Sequence, residues 1–552
     1  MNPKALRSGR AVLLAAVIAV PASGATLTVT NTNTSGAGSL AQAVADANAA
    51  AGADTIVFDV SGAGCDGAGV CTIRLAGTLF LTGPVAIDGY TQSGALPNTI
   101  LSGPNNAVLK IVLSAADIVG AEALDVGTGA AGSVIRGLVM NGGFQNTVRV
   151  GAANFAIRGC FFGTDASGMT ALVNISDLLG QGFSGASSLT LGGAAAADRN
   201  LVTGRIFLDN VPDVTIQGNL FGTDATGASP LGPLPNDAII LHAPATGTST
   251  ISANVVAGGT IEGITISNAG SVVLLFGNFI GTDVSGTVNL GNPTSGIRIQ
   301  AGGDDVTIGG IGTGEGNVIA FNAGAGVMLY PGGASSPVRI PIRGNSIYSN
   351  HQNPAFGESQ GIDLGENSSP QGGVTENDLG DADIGPNNLQ NFPIITSAVA
   401  GGGSTTVTGR LNSAAGTTYD IDFYSNPACV GRPQDFLEGK TYLGSTQVTT
   451  DGSGNAAINA ILPAAILPGE RVTATATDPD GNTSEFSQRI VLASDPSSGN
   501  PAGVPGVTLT GFHFLAGATA TVGGAAARAS TSRTTTRSRS RRRASRRDPS
   551  TT

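Results

Sequence analysis

The sequence predicts an all-β chain: a right-handed parallel β-helix with an N-terminal capping helix, followed by an immunoglobulin-like β-sandwich. Three observations carry this reading. A Gly-Thr-Asp block recurs at a fixed interval, Asn-x-apolar triplets mark a shorter repeat, and brief alternating apolar runs are punctuated by Gly and Asn every few residues.

The block stands at Gly163-Thr164-Asp165, Gly222-Thr223-Asp224 and Gly281-Thr282-Asp283, with 59 residues between successive aspartates. Its flanks repeat as well: Gly218-Asn-Leu-Phe-Gly-Thr-Asp-Ala-Thr-Gly227 answers Gly277-Asn-Phe-Ile-Gly-Thr-Asp-Val-Ser-Gly286. Self-similarity at a fixed period is the mark of a repeat architecture. The second theme is Asn200-Leu-Val, Asn254-Val-Val, Asn317-Val-Ile and Asn345-Ser-Ile. Reading each Asn as the start of a coil divides the 59 residues into 35 (Asn219 to Asn254) and 24 (Asn254 to Asn278), so the Gly-Thr-Asp loop lengthens one coil of each pair. Triplets such as Ile264-Thr-Ile266, Ile297-Arg-Ile299 and Val327-Met-Leu329 alternate as short strands do. No coil can bury its own apolar side chains, so coils stack about 4.8 Å apart. Asparagines at one corner then form a hydrogen-bonded ladder, in which Cys160 takes the first position.

Solenoid ends need caps. Ser39-Leu-Ala-Gln42 reads as a capping box opening a helix with Leu40, Val44 and Ala47 on one face, and Thr55–Val60 as the first strand. Past Tyr348 the pattern changes: residues 351–392 are irregular and acidic. A new alternating regime then gives strands at Thr405–Leu411, Tyr419–Tyr424, Ser445–Thr450, Val472–Thr477 and Ser487–Leu492. About seven strands in about 100 residues is the size of an immunoglobulin-like sandwich. The expected boundaries are a signal peptide at 1–24, the β-helix at 25–390, the sandwich at 391–493, a linker at 494–503, a stub at 504–527 and a disordered Arg/Ser/Thr-rich tail at 528–552. The stub, from Val507-Thr-Leu-Thr-Gly-Phe-His513 onward, resembles the opening of an IPT/TIG domain. The tail suggests a shifted frame or truncated gene; the alternative is a basic segment that touches an anionic cell surface.

Lys4, Arg7 and Arg10, the apolar run Ala11–Val20 and the small residues Ala22-Ser-Gly24 predict export, with a mature start near Ala25 and no transmembrane segment in the mature chain. Subtracting the +8 of Arg528–Thr552 and the +3 of the leader from the total of −11 leaves −22 on the body. A phosphate-binding surface must be basic, so nucleic acid is excluded as a partner. Cys65 and Cys71 flank a Gly-rich loop and suit a local disulfide in an exported protein; a pair of free thiols is the alternative. Cys160 and Cys429 have no evident partner.

Leu27-Thr-Val-Thr-Asn-Thr-Asn-Thr-Ser-Gly-Ala-Gly-Ser-Leu40, Asp46-Ala-Asn48, Gly52-Ala-Asp-Thr-Ile56 and Ile87-Asp-Gly-Tyr-Thr-Gln92 are similar to bacterial CSLREA-type exported β-helix proteins. The Gly-Thr-Asp blocks, Asn388-Leu-Gln-Asn-Phe-Pro393 and Thr475-Ala-Thr-Asp-Pro-Asp-Gly-Asn-Thr-Ser484 belong to the same resemblance, over roughly residues 26–492. It departs at Ala41-Gln42, where the family commonly has Arg followed by Glu or Gln. The resemblance implies export and a pectin-lyase-like fold, and it carries no catalytic residues to transfer.

Enzyme chemistry on such a fold needs a base beside calcium-holding carboxylates, or two carboxylates roughly 5 to 9.5 Å apart. Lys110 and Lys440 are the only lysines between leader and tail, and His242, His351 and His513 the only histidines. Arg298 and Arg343 lie near strand ends, outside any acidic run, and Trp is absent. Asp165, Asp224 and Asp283 fall on alternate coils, about 10 Å apart, and read as turn caps rather than a metal row. Asp378, Asp381 and Asp383 are the candidate calcium ligands, with a solvated acidic loop as the plainer reading. No catalytic residue is assigned. The expectation is a monomeric, secreted or cell-surface protein with a structural, adhesive or glycan-binding role and no catalysis, meeting polysaccharide or cell-envelope components along Ser/Thr/Asn faces, with calcium as its one candidate cofactor; a polysaccharide lyase or glycoside hydrolase is the rival.

Overall fold

A computed structural model describes residues 24–487 except 119, 180–184, 233–236, 243–245, 268–269, 301, 333–334, 354–359, 366–372 and 428–437, and beyond these only 493–495, 508–510, 520–522 and 525–527. The leader, Cys429, His513, the Arg-rich tail and the expected strand at 487–492 beyond Ser487 lie outside the described residues. Residues 1–489 form one compact unit and 490–552 another.

Three parallel sheets of 11, 10 and 10 strands run the length of the first unit. Successive strands pass from sheet I (Asp54–Phe58) to sheet II (Cys71–Arg74) to sheet III (Leu79–Leu81) and return to sheet I (Val85–Asp88) one coil further on, a right-handed parallel β-helix. Inward positions stack in register. Ile239, Ile264, Ile297, Val327 and Ile362 form one such column on sheet III, each at most 1% exposed. Each of these side chains contributes about 1.5–3 kcal/mol by leaving water, and the core they form is continuous from Val29 to Leu364.

The first strand is Thr26–Val29, one step earlier than expected, and it pairs in parallel with Asp54–Phe58. Between them the helix Leu40–Ala49 replaces the missing part of the coil and buries Leu40, Ala43, Val44 and Ala47. Ser39 Oγ accepts from Gln42 N, but the Gln42 side chain turns to Asp46, so only half of the capping box forms. Its return partner is taken elsewhere, because Ser39 N–H already donates to Gly36 O.

The corner between sheets I and II carries the asparagine ladder. In each step the Oδ1 of one Asn accepts both the N–H and the Nδ2–H of its predecessor, through Asn200, Asn219, Asn254, Asn278, Asn317 and Asn345. Cys160 N–H donates to Asn200 at the head of the row. At three of the six rungs the residue before the Asn is a left-handed glycine, Gly218, Gly277 and Gly344 with φ of 73°, 64° and 64°, and before Asn254 it is Ala253 at 54°. A second ladder, Asn292–Asn322–Asn350, sits after sheet II and was not read from the sequence.

The chain then closes its own C-terminal end. Strands Ile394–Gly401, Ser404–Asn412 and Asn455–Leu462 form one antiparallel sheet, and Thr418–Asn426, Thr441–Thr449 and Arg471–Thr477 another. Both face a common core around Val407, Phe423 and Ile458, which makes a β-sandwich of six strands among the described residues. Two of these strands, Ile394–Gly401 and Asn455–Leu462, had no counterpart in the sequence reading. Leu389, Tyr424 and Phe486 insert into the solenoid core. Arg343 on the last coil grips Asp422 at 2.7 and 2.9 Å, and Glu438 accepts the Ser349 and Asn350 amides at the foot of the second ladder. The sandwich therefore serves as the solenoid's second cap.

In the second unit Ala493–Asp495 pairs antiparallel with Thr508–Thr510, and Ala520–Val522 with Ala525–Ala527. Ser494 and Asp495, expected to open a linker, stand in a strand, because the alternating Thr508-Leu-Thr510 offers them an edge.

Candidate functional site

The residues singled out in the sequence fall at separate places. Cys65 and Cys71 join in a disulfide at the start of sheet II, and the small loop between them is tied by Asp66 to the amides of Ala68 and Val70. Cys160 is fully buried, and burial pushes its thiol up to about 12. A cavity of about 160 Å³ lies at the N-terminal cap between Asn33, Thr34, Arg74 and Leu79.

The three Gly-Thr-Asp carboxylates are turn caps. Asp165 Oδ1 accepts the Met169 and Thr170 amides, Asp224 the Thr226 amide, and Asp283 the Thr287 and Val288 amides. Desolvation works to raise Asp165 and Asp283, yet the Ser167 and Ser285 hydroxyls together with these amides hold both below the ordinary carboxylate range. The loops also stack: Ala225 N donates to Gly168 O and Val284 N to Gly227 O. Together with residues 105–112 they bury Phe161, Leu201, Leu220 and Val255 on the outside of sheet II, so this face is covered.

Asp378, Asp381 and Asp383 do converge, with one carboxylate oxygen of each within 4.8 Å of the others. Two calcium–oxygen bonds span about that distance. Much of their capacity is already used. Asp381 accepts from Asn391 N and the Ser413 hydroxyl, and Asp378 from Ala382 N. Burial, with smaller contributions from Asp383 and Asp378, raises Asp381 to about 6.

Two arginines that the sequence placed outside any acidic cluster are corrected by the fold. Arg343 meets Asp420 and Asp422, 77 and 79 residues away, at the sandwich junction. Arg298 meets Glu262, 36 residues earlier, on the outer face of sheet III. Coil stacking creates both meetings, and no local run of residues announces them.

Sheet III is where charged and aromatic side chains gather. On five consecutive strands its outward positions carry Arg205, Phe207 and Asp209; Ile240 and His242; Thr265 and Ser267; Arg298 and Gln300; and Met328 and Tyr330. Arg205 forms a two-point pair with Asp177, Nε to Oδ1 at 2.6 Å and Nη2 to Oδ2 at 3.1 Å, and its guanidinium lies 5.3 Å from the Phe207 ring centre. Phe207 meets His242 edge to face at 5.1 Å. Three strands on, about 14 Å along the axis, Arg298 Nη1 pairs with Glu262 Oε1 at 3.0 Å and lies 4.5 Å over Tyr330. Both arginine–aromatic stacks are therefore anchored from beneath by a carboxylate on a neighbouring coil.

Glu262 is 6% exposed and Asp237, one coil earlier, 5%. Their carboxyl groups touch, and the Glu262 amide donates to Asp237 Oδ1 at 3.0 Å. Burial first, and Asp237 second, push Glu262 up to about 7, against the opposite pull of Arg298. The end of the same face holds another buried carboxyl couple, Asp363 and Glu485. Both are raised by burial, Glu485 further by Asp363, while Glu485 accepts from Leu364, Thr375 and Gln360.

No protein-family profile and no curated protein sequence matches the chain. Solved structures with similar folds include pectate lyase Pel9A (11% identity, 64% of this chain and 88% of that one, TM-score 0.30). Others are the tailspike protein of E. coli bacteriophage HK620 (11%, 84% and 94%, 0.27) and the A-module of the Azotobacter vinelandii mannuronan C-5 epimerase AlgE6 (15%, 58% and 74%, 0.24). At these scores the likeness adds nothing to what the three sheets establish for themselves.

Proposed function

We propose that this chain is an exported, CSLREA-type β-helix protein of the cell surface or its surroundings that binds polysaccharide along sheet III without cleaving it. One observation carries the reading: two arginine–aromatic stacks, each fixed by a buried carboxylate, stand in line on one sheet face. Aromatic faces receive the apolar side of a sugar ring, and guanidinium edges donate to its oxygens. The carboxylates are engaged in holding that surface. Asp237 and Glu262 are in contact, closer than the roughly 5 to 9.5 Å that a hydrolytic pair requires.

Calcium, as the one candidate cofactor, goes to Asp378, Asp381 and Asp383 at the join with the sandwich, where it would brace the cap. The rival reading, a lyase or glycosidase, is favoured by Glu262, whose proton affinity near neutrality is that of a general acid. Incubating the full chain with plant and microbial polysaccharides, with and without calcium, separates the two. Retention of a polymer without new chain ends supports binding; turnover transfers the site to catalysis.

A further inference from the structure

We propose that Glu262, buried against Asp237, retains a proton that gates Arg298, so that the sheet III face takes an acidic, uronate-type polysaccharide when Glu262 is protonated and releases it when the proton leaves. This rests on the reading of sheet III as a glycan-binding face.

The two arginines of the face are held differently. Arg205 is closed by two hydrogen bonds to Asp177. Among the described residues Arg298 is held to Glu262 through Nη1 alone, and its Nε is buried without a hydrogen-bond partner. Thr265, directly beside it in register, also has a buried hydroxyl without a partner. A guanidinium with one tether and unused donors is poised to exchange its partner; the Arg205 pair is not.

The groups that bear on Glu262 are few. On the preceding coil Asp237 opposes its ionisation, and on the following coil Arg298 favours it. Tyr330, one strand further, presents its ring to Arg298. Two touching carboxyls at 5–6% exposure cannot both be ionised cheaply beside a single guanidinium, so one proton is retained. With the proton on Glu262, the Arg298 charge is no longer matched by its tether, and a ligand carboxylate completes the pairing above Tyr330. When the proton leaves, the Glu262 carboxylate takes Arg298 back and a ligand anion meets a neutralised site. The proton passes to solvent and no bond other than hydrogen bonds changes.

The sign follows. Glu262 titrates near 7, so the competent form prevails at pH 6 and has fallen to roughly a tenth at pH 8, and affinity falls about ten-fold between them. The test is retention and titration of the full chain with polygalacturonate at pH 6 and 8, with neutral dextran as control. Alongside it, carboxyl-carbon NMR of glutamate-labelled protein follows the resonance that vanishes in Glu262→Gln. The expected results are a resonance with a midpoint near 7, ten-fold weaker polygalacturonate binding at pH 8, and a Glu262→Gln variant that binds at pH 8 as the parent does at pH 6. Binding abolished by Arg298→Gln yet indifferent to pH and to Glu262→Gln overturns the gate and leaves the binding face intact. A midpoint below 5 overturns the retained proton directly. If no polysaccharide is retained at either pH, the binding face fails and the gate with it.

Discussion

Asn254→Ala removes one rung of the ladder, and its cost can be worked out from the bonds it breaks. The Asn254 side chain accepts from Asn219 N and Nδ2, both at 3.0 Å, and donates to Ile216 O at 2.9 Å and Asn278 Oδ1 at 3.0 Å. The residue is fully buried. After truncation Asn278 keeps the Asn254 backbone N–H, and Asn219 Nδ2 keeps Leu191 O and Gln217 O. The Asn219 N–H has no substitute, and a stranded buried donor costs about 1–3 kcal/mol. The three remaining lost bonds add about 1 kcal/mol each, giving about 4–6 kcal/mol in all. Urea unfolding followed by circular dichroism measures it as a lowered midpoint at unchanged slope. Asn459→Ala, on the exposed face of the strand Asn455–Leu462, is the control and is expected within about 0.5 kcal/mol of the parent. If Asn254→Ala costs no more than Asn459→Ala, the ladder is not what holds the coils in register.

Arg343→Met leaves Asp422, which is completely buried, without its counter-charge, and is expected to destabilise by about 3–5 kcal/mol in the same assay; a neutral result would detach the sandwich from its role as a cap. Stability is also expected to fall as pH rises from 5 to 8. Glu262, Asp363 and Glu485 keep protons in the folded state above their unfolded values, so the folded chain binds more protons across this window and loses that advantage as they leave. For Glu262 alone the loss is at most about 3 kcal/mol, and a thermal midpoint higher at pH 8 than at pH 5 would contradict the assignment. Millimolar calcium is expected to raise the thermal midpoint of chelator-treated protein and to leave Asp383→Asn unmoved; an equal midpoint with and without calcium returns the loop to solvent.

The sequence made most of the solenoid legible because its signals are periodic. The Asn residues at 35 and 24 spacing are consecutive rungs, and the Gly-Thr-Asp aspartates cap their own turns on alternate coils. The helix over the N-terminal mouth followed from Ser39 and the apolar face behind it. The second ladder was missed although Asn292, Asn322 and Asn350 recur at 30 and 28, because none of them opens the Asn-x-apolar triplet that marks the first ladder. The sheet III site was missed for a different reason. Coils of unequal length hide register, so Glu262 and Arg298 read as unrelated. Aligning the triplets Ile264-Thr-Ile266 and Ile297-Arg-Ile299 sets Arg298 beside Thr265 and brings Glu262 within reach. The pairing of Arg343 with Asp422 had no such signal, because it joins a solenoid strand to a sandwich strand through packing alone.

The most direct test of the account compares the parent chain with Arg298→Ala and Tyr330→Ala on a polysaccharide panel, reading both retention and the appearance of new chain ends. The account predicts that the parent retains at least one acidic polymer, that each substitution weakens retention several-fold, and that no new chain ends appear. Chain cleavage by the parent, or retention unaffected by both substitutions, would contradict it.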